Sequence, residues 1–188
     1  TAPGFGADDY QTCRRYGMEV IAPACGYLAC GDTGAGKMPE PEVLYRYILR
    51  EAGYPKDLAG KKILVTAGPT REAIDPVRFI TNHSTGKMGY AIARIAAYRG
   101  ADVTLVSGPV DLEPPLFVDV VPVESARQMY EAVTGRSHGQ DVIIKAAAVA
   151  DYRPAFVGAE KIKKSDSDLS IALERTDDIL GWLGSHRE

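Results

Sequence analysis

Two stretches of the sequence carry side chains that chemistry can use. The first runs from Gly68 to Gly89 and holds Thr70, Arg71, Asp75, Arg78, Asn82, His83, Ser84 and Thr85. Turns that bind dinucleotides are short, so a connection this long and polar has more to do than connect. Ser84 or Thr85 is placed to cap a following helix, while Gly86 and Gly89 let a ligand approach the backbone closely. The free N–H groups and dipole of such a helix end suit a phosphate. The same spacing also fits a capped helix with a glycine-relieved contact and no ligand. The second stretch is Asp151-Tyr152-Arg153-Pro154 followed by the cationic run Lys161-Ile162-Lys163-Lys164. Most cationic runs are solvated faces. A short arm that carried Lys161 to a strand end would instead offset charge developing in nucleotidyl transfer. Asp151 can accept hydrogen bonds from a base or ribose, or simply cap its own loop.

Other patterns carry less. Gly31-Asp32-Thr33-Gly34-Ala35-Gly36-Lys37-Met38 nearly fits a P-loop, but Met38 stands where a hydroxyl must reach magnesium and Pro39 follows at once. Cys25 and Cys30 have no second thiol pair or histidine cluster beside them, so the sequence implies no metal site. Cys30 lies in a glycine loop, where a thiol can serve as an acid or be an ordinary free cysteine. His83, His138 and His186 are scattered.

The elements that must position these residues follow from periodicity. Thr1 to Lys56 is turn-rich, with a short buried strand read at Gly17–Pro23 and a helix from Pro41 to Glu51 closed by Gly53. From Lys61 the pattern changes to strands buried on both faces alternating with helices. Strands are predicted at Ile63–Gly68, Val103–Gly108, Phe117–Val123 and Val142–Ala150. Helices are predicted from Lys87 to Arg99, with Met88, Ala91, Ile92, Ile95 and Ala96 inward, and from a Ser125 cap to Gly135. Leu169–Glu174 alternates like a further strand, and Asp177-Asp178 is placed to start a last helix. This order implies an α/β fold, a Rossmann-like parallel sheet with flanking helices, which binds ligands beyond the carboxyl ends of its strands. The ends to watch are Ala67–Thr70, Ser107–Pro109 and Ala150–Tyr152. No acidic residue closes the second strand at Ser107, which argues against the alternative of a nicotinamide-dependent oxidoreductase.

Composition sets the outer limits. The 188 residues are 45% hydrophobic and 25% charged, which excludes a disordered or fibrous chain. With 22 Lys+Arg against 25 Asp+Glu the net charge is −3, so no general affinity for nucleic acid is expected. No run is long enough to span a membrane, and no signal segment opens the chain. Three cysteines and no signal segment point to a reducing, cytoplasmic setting. Thr1 at the start and an alternating pattern that stops at Glu188 give the expectation that both ends fall inside domains.

Several long motifs together resemble one family. Thr66–Glu72, Asp75-Pro76-Val77-Arg78, Asn82–Gly89, Ala146–Pro154 and Lys161–Lys164 are similar to the synthetase domain of the bifunctional phosphopantothenoylcysteine decarboxylase/synthetases of coenzyme A biosynthesis. Leu28–Pro41 is similar to the substrate flap that ends their decarboxylase domain, with Lys37 where the family has arginine. The resemblance implies residues 1–58 as the end of a flavoprotein decarboxylase domain and 59–188 as the front of the ligase, both incomplete.

It further implies the chemistry. The carboxylate of 4′-phosphopantothenate attacks the α-phosphate of CTP with Mg2+ present, and the amine of cysteine then displaces CMP from the acyl-cytidylate. By resemblance, Asp151, Lys161, Ala146 and Ala147 belong to the nucleotide site and Ser84 to a phosphate contact. Asn82 handles the acyl-nucleotide, Arg78 and Gly86 lie on the phosphopantothenate side, and Cys30 is the acid of an FMN-dependent decarboxylation. A homo-oligomer is implied for the complete enzyme. The chain taken alone is expected to be short for either reaction, which leaves an assembly fragment without activity of its own as the competing reading.

Overall fold

A computed structural model describes residues 11–13, 15–17, 19–164 and 168–186. The turn-rich opening at Pro3–Asp9 lies outside these residues. The chain divides into two units, Thr1–Gly53 and Tyr54–Glu188.

In the first unit, β1 (Ala24–Tyr27) pairs antiparallel with β2 (Thr33–Lys37), and α1 (Pro41–Ala52) follows. The expected strand at Gly17–Pro23 is not formed: residues 19–23 carry no strand, and the pairing begins at Ala24. Apolar content suggested burial there, but backbone partners exist only where the chain folds back through Gly31, whose φ of 92° favours glycine. The near-P-loop sequence is the second arm of this hairpin, extended rather than wrapped. Pro41 opens α1 as a first-turn residue and Gly53 receives it, its N–H donating to Leu49 O at 2.9 Å.

The second unit is built on a four-stranded parallel sheet. Its strands are β3 (Lys62–Ala67), β6 (Asp102–Ser107), β7 (Asp119–Pro122) and β8 (Val142–Lys145), in the spatial order β7-β6-β3-β8. Side chains of β3 alternate between two cores, as a strand covered on both faces requires. Ile63, Val65 and Ala67 pack with Ala93, Ala96 and Ala97 of α2 (Lys87–Tyr98). Leu64 packs on the other face with Met129 and Val133 of α3 (Ala126–Ser137) and with Ile179, the first residue of α4 (Ile179–Ser185). Ser125 caps α3 through a complete capping box with Gln128, as its sequence position predicts.

Three expectations are corrected. The inward face of α2 holds Gly89, Ala93, Ala96 and Ala97, while Met88 is 65% exposed. Ala96 and Ile92 do pack against the core as expected, with Tyr98 buried at the helix end, while Gly89, Ala93 and Ala97 supply the close contact with β3. The long polar connection contains a hairpin, β4 (Arg71–Asp75) with β5 (Arg78–Thr81), which polarity concealed. The C-terminal strand is also shorter than its alternation suggests: β10 (Leu173–Arg175) pairs antiparallel with β9 (Tyr152–Pro154), and Leu169–Ala172 stay outside it. None of the helices among the described residues is long and apolar enough to cross a membrane.

Candidate functional site

The sheet reverses its winding at β3. The chain moves from β3 to β6 and β7 on one side, then returns to place β8 on the other. The crevice at such a reversal, beyond the carboxyl ends of β3 and β8, is where open α/β sheets take ligands. Here the two strand ends are joined by hydrogen bonds from side chains buried in the sheet. Thr66 Oγ1 accepts the N–H groups of Ala146 and Ala147, both at 3.2 Å. Thr70 Oγ1 accepts Ala150 N–H at 3.0 Å, and Ala148 N–H donates to Gly68 O at 2.8 Å. Both threonines are fully buried, so neither hydroxyl is hydrated and each bond must be made internally.

Asn82 closes this frame from the hairpin side. Its Nδ2 donates to Ala148 O at 3.3 Å and Val149 O at 3.2 Å. Thr81 Oγ1 donates to Thr70 O at 2.7 Å, fixing the strand that delivers Asn82. The expected cap of the next helix is corrected: Gly86, with φ of 72°, is the N-cap of α2, and no side-chain hydrogen bond caps the helix. Ser84 Oγ reaches only the N–H of Gly86, at 3.4 Å. The first-turn N–H groups of α2 therefore have no side-chain acceptor, which keeps that end available to an anion. The glycines face protein rather than open space. A Cβ on Gly89 would lie 2.6 Å from Ala67 Cβ, and one on Gly86 would lie 2.9 Å from Val110 Cγ1.

Asp151 lines a cavity of about 440 Å³ with Lys145, Arg175, Thr176 and Asp178. Thr176 holds its wall by donating Oγ1–H to Ala150 O at 2.6 Å and N–H to Asp151 O at 3.0 Å. Lys145, Arg175 and Thr176 were not singled out in the sequence; Lys145 interrupts an apolar strand, which is the one local signal available. Lys161 is not among the residues lining this cavity. It lines a second one, of about 740 Å³, with Arg78, Lys163 and Lys164. Arg78 is itself engaged: its Nε donates to Asp75 Oδ2 at 3.0 Å and its Nη2 donates to Ile162 O at 2.9 Å. The Arg78 guanidinium and the surrounding N–H donors hold the Asp75 carboxyl far below the usual carboxylate range.

The structure thus brings Asn82, Ala146 and Ala147 together at the β3–β8 reversal, with Asp151 on the same strand-end loop. Ser84 and Gly86 stand at the start of α2, where Gly86 abuts Gly68. It sets Lys161 beside Arg78 in a different cavity. The N–H groups of Ala146 and Ala147 are spent on Thr66, so any ligand contact from them must use a carbonyl or methyl group. Cys30 is in the other unit, exposed in the β1–β2 turn, with Sγ 3.7 Å from Asp32 Oδ2. Ser107 directs its hydroxyl to Gly108 O at 2.8 Å and shares a 3.0 Å hydrogen bond with Tyr90.

Residues 58–188 match the family described as DNA/pantothenate metabolism flavoprotein C-terminal domain. The chain belongs to that family. Among its relatives is the Coenzyme A biosynthesis bifunctional protein CoaBC of Vibrio vulnificus, 49% identical over 183 residues. That alignment covers 96% of this chain and 45% of the relative. The protein of the same name from Mycobacterium tuberculosis is 52% identical over 182 residues, covering 94% of this chain and 44% of the relative. The chain therefore spans about half the length of these relatives. A crystal structure of the C-terminal domain of a CoaBC protein superposes with a TM-score of 0.61 at 57% identity. It covers 70% of this chain and 61% of that one. The α/β sheet with flanking helices is thus the fold of this flavoprotein C-terminal domain family, and the first unit precedes the matched residues.

Proposed function

We propose that the second unit takes part in the CTP-dependent ligation of cysteine to 4′-phosphopantothenate, a step of coenzyme A biosynthesis, through an acyl-cytidylate. The observation that supports this most directly is the braced crevice at the β3–β8 reversal. It holds Asn82 against the loop that leaves β8, sets the uncapped helix start at Gly86 against Gly68 at the end of β3, and carries Asp151 further along the β8 loop. The relatives' name, coenzyme A biosynthesis bifunctional protein, agrees with it.

In this reading the free N–H groups of α2 receive phosphate oxygens, and Ser84 adds a hydroxyl at the same end. Asp151 accepts from the nucleoside, and Lys161 neutralises charge that develops as pyrophosphate leaves. Asn82 keeps the acyl-nucleotide against the crevice wall while the amine of cysteine attacks, and Arg78 serves the phosphopantothenate. Magnesium arrives with the triphosphate: no group of three or more metal-ligating side chains stands among the described residues, and this ion typically binds through phosphates with one or two carboxylates. The complete enzyme is a homo-oligomer working in the cytoplasm.

The first unit is read as the end of the decarboxylase, with Cys30 as its acid. A flavin ring needs apolar walls, and no helix residue of α1 is buried. The described residues of this unit do not fit FMN by themselves.

Titrating CTP with magnesium into the chain tests the ligase reading. Saturable binding is expected, with a loss of at least tenfold in Lys161→Gln and in Asp151→Asn. No binding at millimolar CTP would reject nucleotide use and favour an assembly role.

A further inference from the structure

Asp75 makes more bonds than its turn requires. It sits where β4 turns into β5, and Oδ1 alone serves the turn, accepting Val77 N–H and Arg78 N–H, both at 2.9 Å. Oδ2 has a different set of partners. It accepts Arg78 Nε–H at 3.0 Å, an Nη2–H of the same guanidinium, and the N–H of Ile162 at 3.1 Å. The carboxylate is buried, with 2% of the residue exposed, and every one of these donors points at it.

Ile162 is held by both of its backbone groups. Its N–H goes to Asp75, and its carbonyl accepts from Arg78 Nη2 at 2.9 Å. The same segment is fastened once more upstream, where Gly158 N–H donates to Ile74 O at 2.9 Å. Lys161 and Lys163 therefore leave from the two sides of a residue whose flanking peptide units are both pinned to the hairpin. Together with Lys164 they share the 740 Å³ cavity with Arg78, with Asp168 also on its wall. Four cations around one cavity repel one another. A buried carboxylate paired with one of them, and bonded to the backbone between two others, opposes that repulsion without standing in the cavity.

We propose that Asp75 is a positioning residue: it clamps the segment Lys161–Lys164 onto the β4–β5 hairpin, so that the lysines and Arg78 are presented together to a polyanion. The clamp acts on the proposed ligation through Lys161, and in that respect rests on the nucleotide reading above. Charge-assisted bonds suit the task, since they are stronger and more directional than neutral ones.

The test uses the full 188-residue chain. Asp75→Asn keeps the side-chain shape but removes the charge. Ile162→Pro removes the donated N–H and leaves Asp75, Arg78 and the hairpin turn untouched, so it serves if Asp75→Asn does not fold. Tryptic cleavage after Lys163 and Lys164 is expected to accelerate at least tenfold in both variants. In Asp75→Asn the Ile162 amide is also expected to exchange at least tenfold faster, while the Ala73–Phe79 pair of the hairpin keeps its protection. CTP affinity is expected to fall about tenfold in each folded variant. A clamp acting largely through Lys161 predicts that Asp75→Asn costs less once Lys161→Gln is present than it does alone. Unchanged cleavage and exchange would overturn the clamp. A loosened segment with CTP affinity intact, or additive losses in the double variant, would overturn its positioning role. If the unsubstituted chain fails to bind CTP, the nucleotide reading falls, and cleavage and exchange alone decide the clamp.

Discussion

Asn82 and Ala148 are joined by a hydrogen bond of 3.3 Å from the carboxamide Nδ2 to the carbonyl, although 66 residues separate them in the chain. Through it, the end of the β4–β5 hairpin is tied to the loop that leaves β8. A carboxylate in place of the amide would set negative charge against two carbonyls. Asn82→Asp is expected to destabilise the second unit by about 0.5–1.5 kcal/mol, the net worth of a hydrogen bond at a site open to water. Thermal unfolding measures this directly, and Asn82→Asp should also weaken CTP binding by more than its stability loss explains.

Gly89 marks the closest approach of α2 to β3. An added methyl group meets Ala67 Cβ at 2.6 Å and Thr66 O at 2.9 Å, and neither neighbour can turn aside. Gly89→Ala is expected to cost about 1–3 kcal/mol through displacement of the helix. Its unfolding midpoint in urea should fall with an unchanged slope.

Glu72 bonds β4 to the start of α3. It is 3% exposed, and Oε1 accepts the N–H of Ala126, the first residue of α3, at 2.8 Å. The start of a helix favours a carboxylate there. Glu72→Ala is expected to lower stability by about 1.5–3 kcal/mol, as for a lost hydrogen bond to a charged group. Amide exchange at Ala126 should quicken while the Ser125 cap, which bonds Gln128 N–H instead, stays protected.

Asp141 joins the entry of β8 to the start of β3. Its carboxylate accepts Lys62 N–H at 2.8 Å and Lys61 Nζ–H at 3.0 Å, and the backbone donor does most to hold its pKa below the ordinary 3.8. A carboxyl with a depressed folded pKa contributes stability above the unfolded value and loses it as pH falls through the folded one. Asp141→Asn should therefore melt below the unsubstituted chain at pH 7, and the two melting points should converge below about pH 4.

Much of the second unit is legible in the order of residues. Ile63–Ala67 alternates nothing and is buried on both faces, and Ser125 with Gln128 spells a helix start that the structure repeats bond for bond. These features are local: a strand's burial and a helix's cap are set by neighbours a few positions away. Asn82, Ser84, Asp151 and Lys161 stand out in the sequence as polar residues in loops, but nothing in their order shows that Lys161 lines a different cavity from Asp151. The β4–β5 hairpin was hidden because its strands are short and its side chains mostly polar, so neither period nor hydrophobicity announces it.

What the sequence by itself determined was the parallel strands and flanking helices of the second unit, their alternation and the inventory of reactive groups, because each follows from short-range pattern. Which groups meet was decided only in three dimensions. Thr66 and Thr70 are ordinary strand-end residues until β8 is laid beside β3 and Ala146, Ala147 and Ala150 need acceptors. Asp75 is an ordinary turn aspartate until Ile162, 87 positions onward, brings its N–H to the same oxygen as Arg78. Partners so far apart in sequence are selected by the requirement that buried polar groups be satisfied, and that requirement acts on the folded chain as a whole.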